Sequence, residues 1–168
     1  MEPKDFAELN AADRDRIRRR VIAALKEAGY AECSMRQDES FVLATEECEL
    51  HIPIEIIVCL DEGPALLVKC VRGNTSTRER ASLSLARLLA EKPIPFAIVA
   101  NESDAVVFDT ITGKATGRGY RAFPDPARAE QRLRDCTDFL IPSAQRKREE
   151  RILETYYHLR CTVDMEPF

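Results

Sequence analysis

The residue types that most often do chemistry are sparse in this chain and poorly spaced for a metal. Six cysteines stand at 33, 48, 59, 70, 136 and 161, no two within four residues of each other, and the histidines are His51 and His158 alone. Zinc ligands come in tight pairs, so this spacing gives a zinc site little support. Cys59 and Cys70 fall in apolar strand-like runs and Cys136 in an apolar helical stripe, where a reduced thiol acts as a small hydrophobe. Cys33 and Cys48 sit in polar surroundings, with nothing nearby to mark a lowered pKa. Among the acids, Glu55 is the one charge inside the run Leu50 to Leu60. Asp38, Glu39, Glu46, Glu47, Glu49, Asp61 and Glu62 crowd the same region and read as loop acids in water. Arg14, Arg16, Arg18, Arg19 and Arg20 form a basic cluster. It reads first as a solvated helix face partly offset by Asp13, Asp15 and Glu27, and second as a contact for phosphate or a partner.

The elements that must position these groups follow from periodicity. Asn10 can cap a helix to about Ala28, with Ile17, Val21, Leu25 and Ala28 inward and Gly29 ending it. Phe41 to Leu43 and Leu50 to Leu60 read as strands. Asp61 to Pro64 reverses the chain into a third strand, Ala65 to Val71, making a hairpin. Ser76 with Glu79 forms a capping box for a helix to about Glu91, with Ala81, Leu85, Leu88 and Leu89 as its buried stripe. Phe96 to Ala100 and Ala105 to Asp109 are short apolar strands, the second closed by the turn Thr112-Gly113-Lys114. Two helices follow, about Pro126 to Phe139, with Ala129, Leu133, Cys136 and Phe139 or Leu140 inward, and about Ser143 to Arg160, with Ile152, Leu153, Tyr156 and Leu159 inward. A helix between strands implies a crossover onto one mixed sheet, an α/β fold rather than a sandwich or barrel.

The 168 residues fit one domain: a core over about 10–115 and two helices over about 126–160. No apolar run approaches the roughly 20 residues of a membrane span, and Met1 to Asn10 lacks the pattern of a targeting peptide, so the expected location is cytoplasmic. The net charge of −4 offers polyanions no general attraction, so any nucleic-acid face must be local.

From Arg14 onward the order of motifs resembles the N-terminal nuclease domain of type I restriction enzyme R subunits. A basic helix ends in Glu27-Ala28-Gly29-Tyr30. Pro53-Ile54-Glu55-Ile56-Ile57-Val58 resembles the family's Pro-Asp-Ile-Val segment, and Ala65-Leu66-Leu67-Val68-Lys69-Cys70-Val71-Arg72-Gly73 its Leu-Val-Glu-x-Lys strand. Ser84-Leu85-Ala86-Arg87-Leu88-Leu89 resembles the helix after the active site. Pro95 to Asn101 resembles its next strand, and Val107 to Lys114 its closing hairpin. The resemblance implies a restriction-endonuclease-like mixed sheet flanked by helices, of the PD-(D/E)xK nuclease type. In that type, carboxylates on two neighbouring strands hold Mg²⁺ and a lysine two residues on assists the attacking water.

The chain departs from that pattern where it matters. Glu55 falls at the first acid, but Lys69 stands at the second acid and Val71 at the lysine. Ala81 and Leu85 stand where the following helix commonly has Gln and Tyr. An ammonium at a ligand position opposes Mg²⁺, and Lys69 is expected to pair with Glu55 across the strands instead. The leading expectation is therefore a catalytically degenerate domain with no metal or cofactor. It would act in DNA binding or in assembly with other restriction-system subunits, contacting DNA through Arg18, Arg19, Arg72, Arg78 and Arg80. One alternative is an active Mg²⁺-dependent endonuclease with a variant site. Another is a protein-interaction or homodimer module built on the last helix, where Arg146 to Arg151 precede Tyr156, Tyr157 and Leu159. That helix may equally be read as packing on its own sheet.

Overall fold

The computed structural model describes the backbone over 3–44 and 49–164 and the side chains over 11–44 and 49–157. The sequence expectations at Asn10, Glu46, Glu47, Cys48, His158, Leu159 and Cys161 rest on side chains outside these residues. Helix α1 spans Pro3–Ala28, starting well before Asn10, so that residue lies within the helix rather than at its cap. Ile17, Val21 and Leu25 are buried along one stripe of α1. Gly29 ends the helix at φ 112, a conformation glycine adopts without a Cβ penalty.

The strands are β1 (Met35–Ala44), β2 (Glu49–Leu60) and β3 (Gly63–Cys70), then, after helix α2 (Ser76–Leu88), β4 (Phe96–Ala100), β5 (Ala105–Asp109) and β6 (Ala115–Arg118). They lie side by side in chain order in one six-stranded sheet. Every neighbouring pair is antiparallel except β3 and β4, which are parallel and joined by the α2 crossover. Helices α3 (Pro126–Asp135) and α4 (Ser143–Asp164) complete the α/β architecture.

Alternation along the strands divides the core in two. On one face Ile56, Val58, Leu66, Val68, Ile98 and Val107 pack with Ile17, Val21 and Leu25 of α1 and Ala129 of α3. On the other, Ile54, Ile57, Leu67, Val71, Val99 and Val106 pack with Ala81, Leu85 and Leu88 of α2 and Leu153 of α4. Both faces of β3 and β4 are thus covered, as their unbroken apolar runs require.

Four boundaries differ from expectation for physical reasons. β1 begins at Met35, six residues early, because an edge strand pairs on one side only and tolerates the polar run Arg36 to Ser40. The cap of α2 is Thr75, whose hydroxyl donates to Glu79 Oε1 at 3.1 Å. Ser76 is the first helical residue, its N–H donating to Asn74 Oδ1 at 3.0 Å. α3 stops at Asp135, leaving Phe139 half-buried and Leu140 61% exposed. β6 has no hydrophobic signal, since its Ala-Thr-Gly-Arg is an outer edge held by pairing with β5.

Candidate functional site

The β2–β3 ladder runs from the hairpin as far as Ile56 opposite Val68 and stops there. Glu55 and Lys69, the next residues outward, face one another where the two strands part. The β1 side is also irregular. Asp38 sits at φ 55 between the paired residues Gln37 and Glu39, opposite the same point of β2. A gap between strands is therefore built into the sheet at Glu55.

Into that gap Lys69 places its ammonium, 3.1 Å from Glu55 Oε2 and 3.4 Å from Oε1, and it also donates to the Pro53 carbonyl. Glu55 Oε2 accepts the Cys70 backbone N–H at 3.2 Å. The two side chains are 10% and 11% exposed, so this is an internal pair rather than a surface one. Burial draws the Lys69 pKa below its ordinary value, with the Glu55 charge working against that shift. The Cys70 thiol is pushed up to about 12 by burial and by the same carboxylate, so it is protonated and a poor nucleophile.

The pair forms one wall of a cleft of about 110 Å³. Arg14 of α1, Arg72 and Arg78 of the β3–α2 connection and helix α2, and Tyr157 of α4 line the rest, with Asp13 beside them. Arg72 Nε lies 3.6 Å from Asp13 Oδ2, and the Arg78 guanidinium stacks over the Tyr156 ring at 5.1 Å. Of the arginines singled out for DNA, Arg72 and Arg78 therefore stand together with Glu55 and Lys69. Arg18 is beside them, bordering an adjoining groove, where it forks between Asp15 at 2.6 Å and Asp38 at 2.5 Å. Arg19 lies on the exposed face of α1, outside the cleft lining.

Arg80 is placed elsewhere. Its guanidinium grips Glu149 of α4 with two bonds, 2.8 and 3.1 Å. Glu149 is 1% exposed and also takes Arg87 Nη1 at 2.7 Å and the Ser84 hydroxyl at 2.5 Å. Arg87 in turn donates from Nε to the Thr110 carbonyl at 2.8 Å. This network ties α4 to α2 and carries Tyr156 and Tyr157 toward the cleft. Burial raises the Glu149 pKa, but hydrogen bonds from Arg80 and Ser84 and the charges of Arg80 and Arg87 outweigh it and hold the carboxyl below its ordinary 4.5.

Val71, Ala81 and Leu85 are buried in the apolar cluster of the α2 face. Among the described residues no three His, Cys, Asp or Glu side chains converge as a metal site, and no described helix is long and apolar enough to cross a membrane. Two cleft residues were not singled out beforehand. Arg14 could have been found from its position three residues before the buried Ile17, which sets it at the margin of the packed stripe. Tyr157 left no such signal, because its place depends on how α4 docks.

Residues 13–124 match the family model described as the N terminus of type I restriction enzyme R protein (HSDR_N). No curated protein gives a match, and no solved structure does.

Proposed function

The chain belongs to the family of type I restriction enzyme R protein N termini, and from that membership we propose that it is a DNA-binding member that has lost metal-dependent cleavage. The observation that carries this reading is the Lys69 ammonium 3.1 Å from Glu55. A magnesium ion wants several oxygen ligands. Here one carboxylate faces the gap, and its oxygens already serve an ammonium and a backbone N–H. A second cation at that distance repels Mg²⁺, and the neighbouring Val71 offers only methyl groups. The donor set does not fit the metal, and no hydrolytic step is derived from it.

Binding is supported by the charge of the cleft. Lys69, Arg14, Arg72 and Arg78 outnumber Asp13 and Glu55 there, in a chain whose overall charge is −4. Positive charge concentrated against an acidic background is what a local phosphate contact requires. Assembly with other subunits of a restriction system is compatible with the same role. The face of α4 most suited to a partner is already spent in part, since Glu149, Leu153 and Tyr156 pack on α2 and the sheet.

The test is a gel shift with duplex and single-stranded DNA at low and moderate salt, beside a supercoiled plasmid incubated with Mg²⁺ or Mn²⁺. Retention that weakens steeply with salt and intact plasmid are expected. Metal-dependent nicking that disappears in Glu55→Ala would instead establish a working variant site.

A further inference from the structure

We infer that the cleft recognises the phosphomonoester at the end of a nucleic-acid strand rather than a phosphodiester within one. The inference rests on the DNA-binding reading and names the chemical group that the same site takes.

Size is the first argument. At about 110 Å³ the cleft is far below the roughly 300–1,000 Å³ of pockets that swallow a whole small ligand. It has room for one phosphate group and little more, and no duplex can enter it. Charge is the second. Four cations and two carboxylates line the cleft, an excess of two positive charges. A backbone phosphodiester brings a single negative charge. A terminal phosphomonoester brings about −1.5 to −2 at neutral pH and three acceptor oxygens, which matches the excess.

Surroundings are the third argument. On one side the cleft shares Asp13, Ile17 and Arg72 with an open polar groove of about 640 Å³ that also holds Asn74 and Asn101. On the other it shares Arg14, Pro53 and Glu55 with a groove of about 370 Å³. A strand whose last phosphate sits between Arg14, Lys69 and Arg72 thus has space for its adjoining nucleotide in either groove. Tyr157 supplies an aromatic ring at the same place for a terminal base.

The experiment is fluorescence anisotropy competition with the full chain. The competitors are one short single-stranded oligonucleotide carrying a 5′ phosphate, a 3′ phosphate or hydroxyls at both ends, together with a nucleoside monophosphate and inorganic phosphate. One phosphorylated form is expected to compete about tenfold better than the hydroxyl form, the scale of one charge-assisted hydrogen bond. Arg14→Ala, which alters an exposed position of α1, is expected to erase that difference, and Lys69→Met to do so if it folds. Equal competition by all three oligonucleotides overturns the inference while leaving the DNA-binding reading intact. Equal potency of the free nucleotide or phosphate overturns the strand end as the ligand. Absence of binding by any oligonucleotide at low salt overturns both readings.

Discussion

Lys69 stands across from Glu55 one residue beyond the last rung of the β2–β3 ladder, 3.1 Å from its carboxylate and nearly sealed from water. Two strands that part at this point would otherwise leave each side chain to lose its hydration alone. The pair holds because each charge is the other's compensation, with the Pro53 carbonyl and the Cys70 N–H taking up remaining hydrogen-bonding capacity.

Removing one partner is therefore expected to cost more than removing both. Lys69→Met should destabilise the fold by about 3 kcal/mol, as expected for an uncompensated buried carboxylate. Combining it with Glu55→Leu should restore most of the loss. Urea denaturation reads both, and an unchanged midpoint for Lys69→Met would show that the pair does not act as described.

The titration of Lys69 is expected to stand apart from the other lysines. Burial favours its neutral form, so its folded pKa lies below the ordinary 10.5. The cost of burying the cation is present below the folded pKa and is relieved as pH rises from there toward 10.5, which raises stability over that interval. Carbon NMR of the lysine side chains should show one resonance titrating early, absent in Lys69→Met.

Glu149 has the opposite sign. Its folded pKa is depressed, so its contribution is fully present above about 4.5 and is lost as pH falls through that value toward the folded one. Glu149→Gln should weaken the protein at neutral pH by about 3 kcal/mol, since two arginines lose their shared counter-charge. Its stability should also fall less than the wild type's between neutral pH and pH 4. Parallel pH profiles for the two proteins would contradict this.

Gly117 of β6 is expected to resist enlargement. A Cβ there would lie 2.7 Å from the Ala122 Cβ, inside contact distance. Gly117→Ala should cost about 1–3 kcal/mol in thermal or chemical unfolding, the usual range for overpacking.

Millimolar Mg²⁺ or Mn²⁺ should leave the melting temperature of the wild type unchanged, since a ligand that binds the folded state raises it by mass action. A clear rise that Glu55→Ala abolishes would reveal metal held at the gap.

What the sequence disclosed, and what it concealed, follows from where each signal is generated. β4 and β5 were legible to the residue because Pro95 and the Asn101 turn bound runs that are apolar throughout. Glu55 and Lys69 were legible as a facing pair, since hairpin register follows from the turn. The early part of β1 and all of β6 were not, because edge strands are held by backbone pairing and carry polar side chains. The Glu149 network was hidden for a different reason. Within Arg146 to Arg151 its charge looks like one more solvated group, and only the docking of α4 against Ser84 and Arg87 makes it internal. Arg80 was misjudged in the same way, as a surface cation rather than as half of that contact.

The matched segment closes at residue 124, yet Glu149 and Leu153 lie beyond it and are among the least accessible side chains described. Anyone trimming the polypeptide to its recognised homology would strip the counter-ion from Arg80 and Arg87 and lay bare the hydrophobic seat of Leu153. A soluble, assayable fragment should accordingly be drawn to include the helix that starts at Ser143.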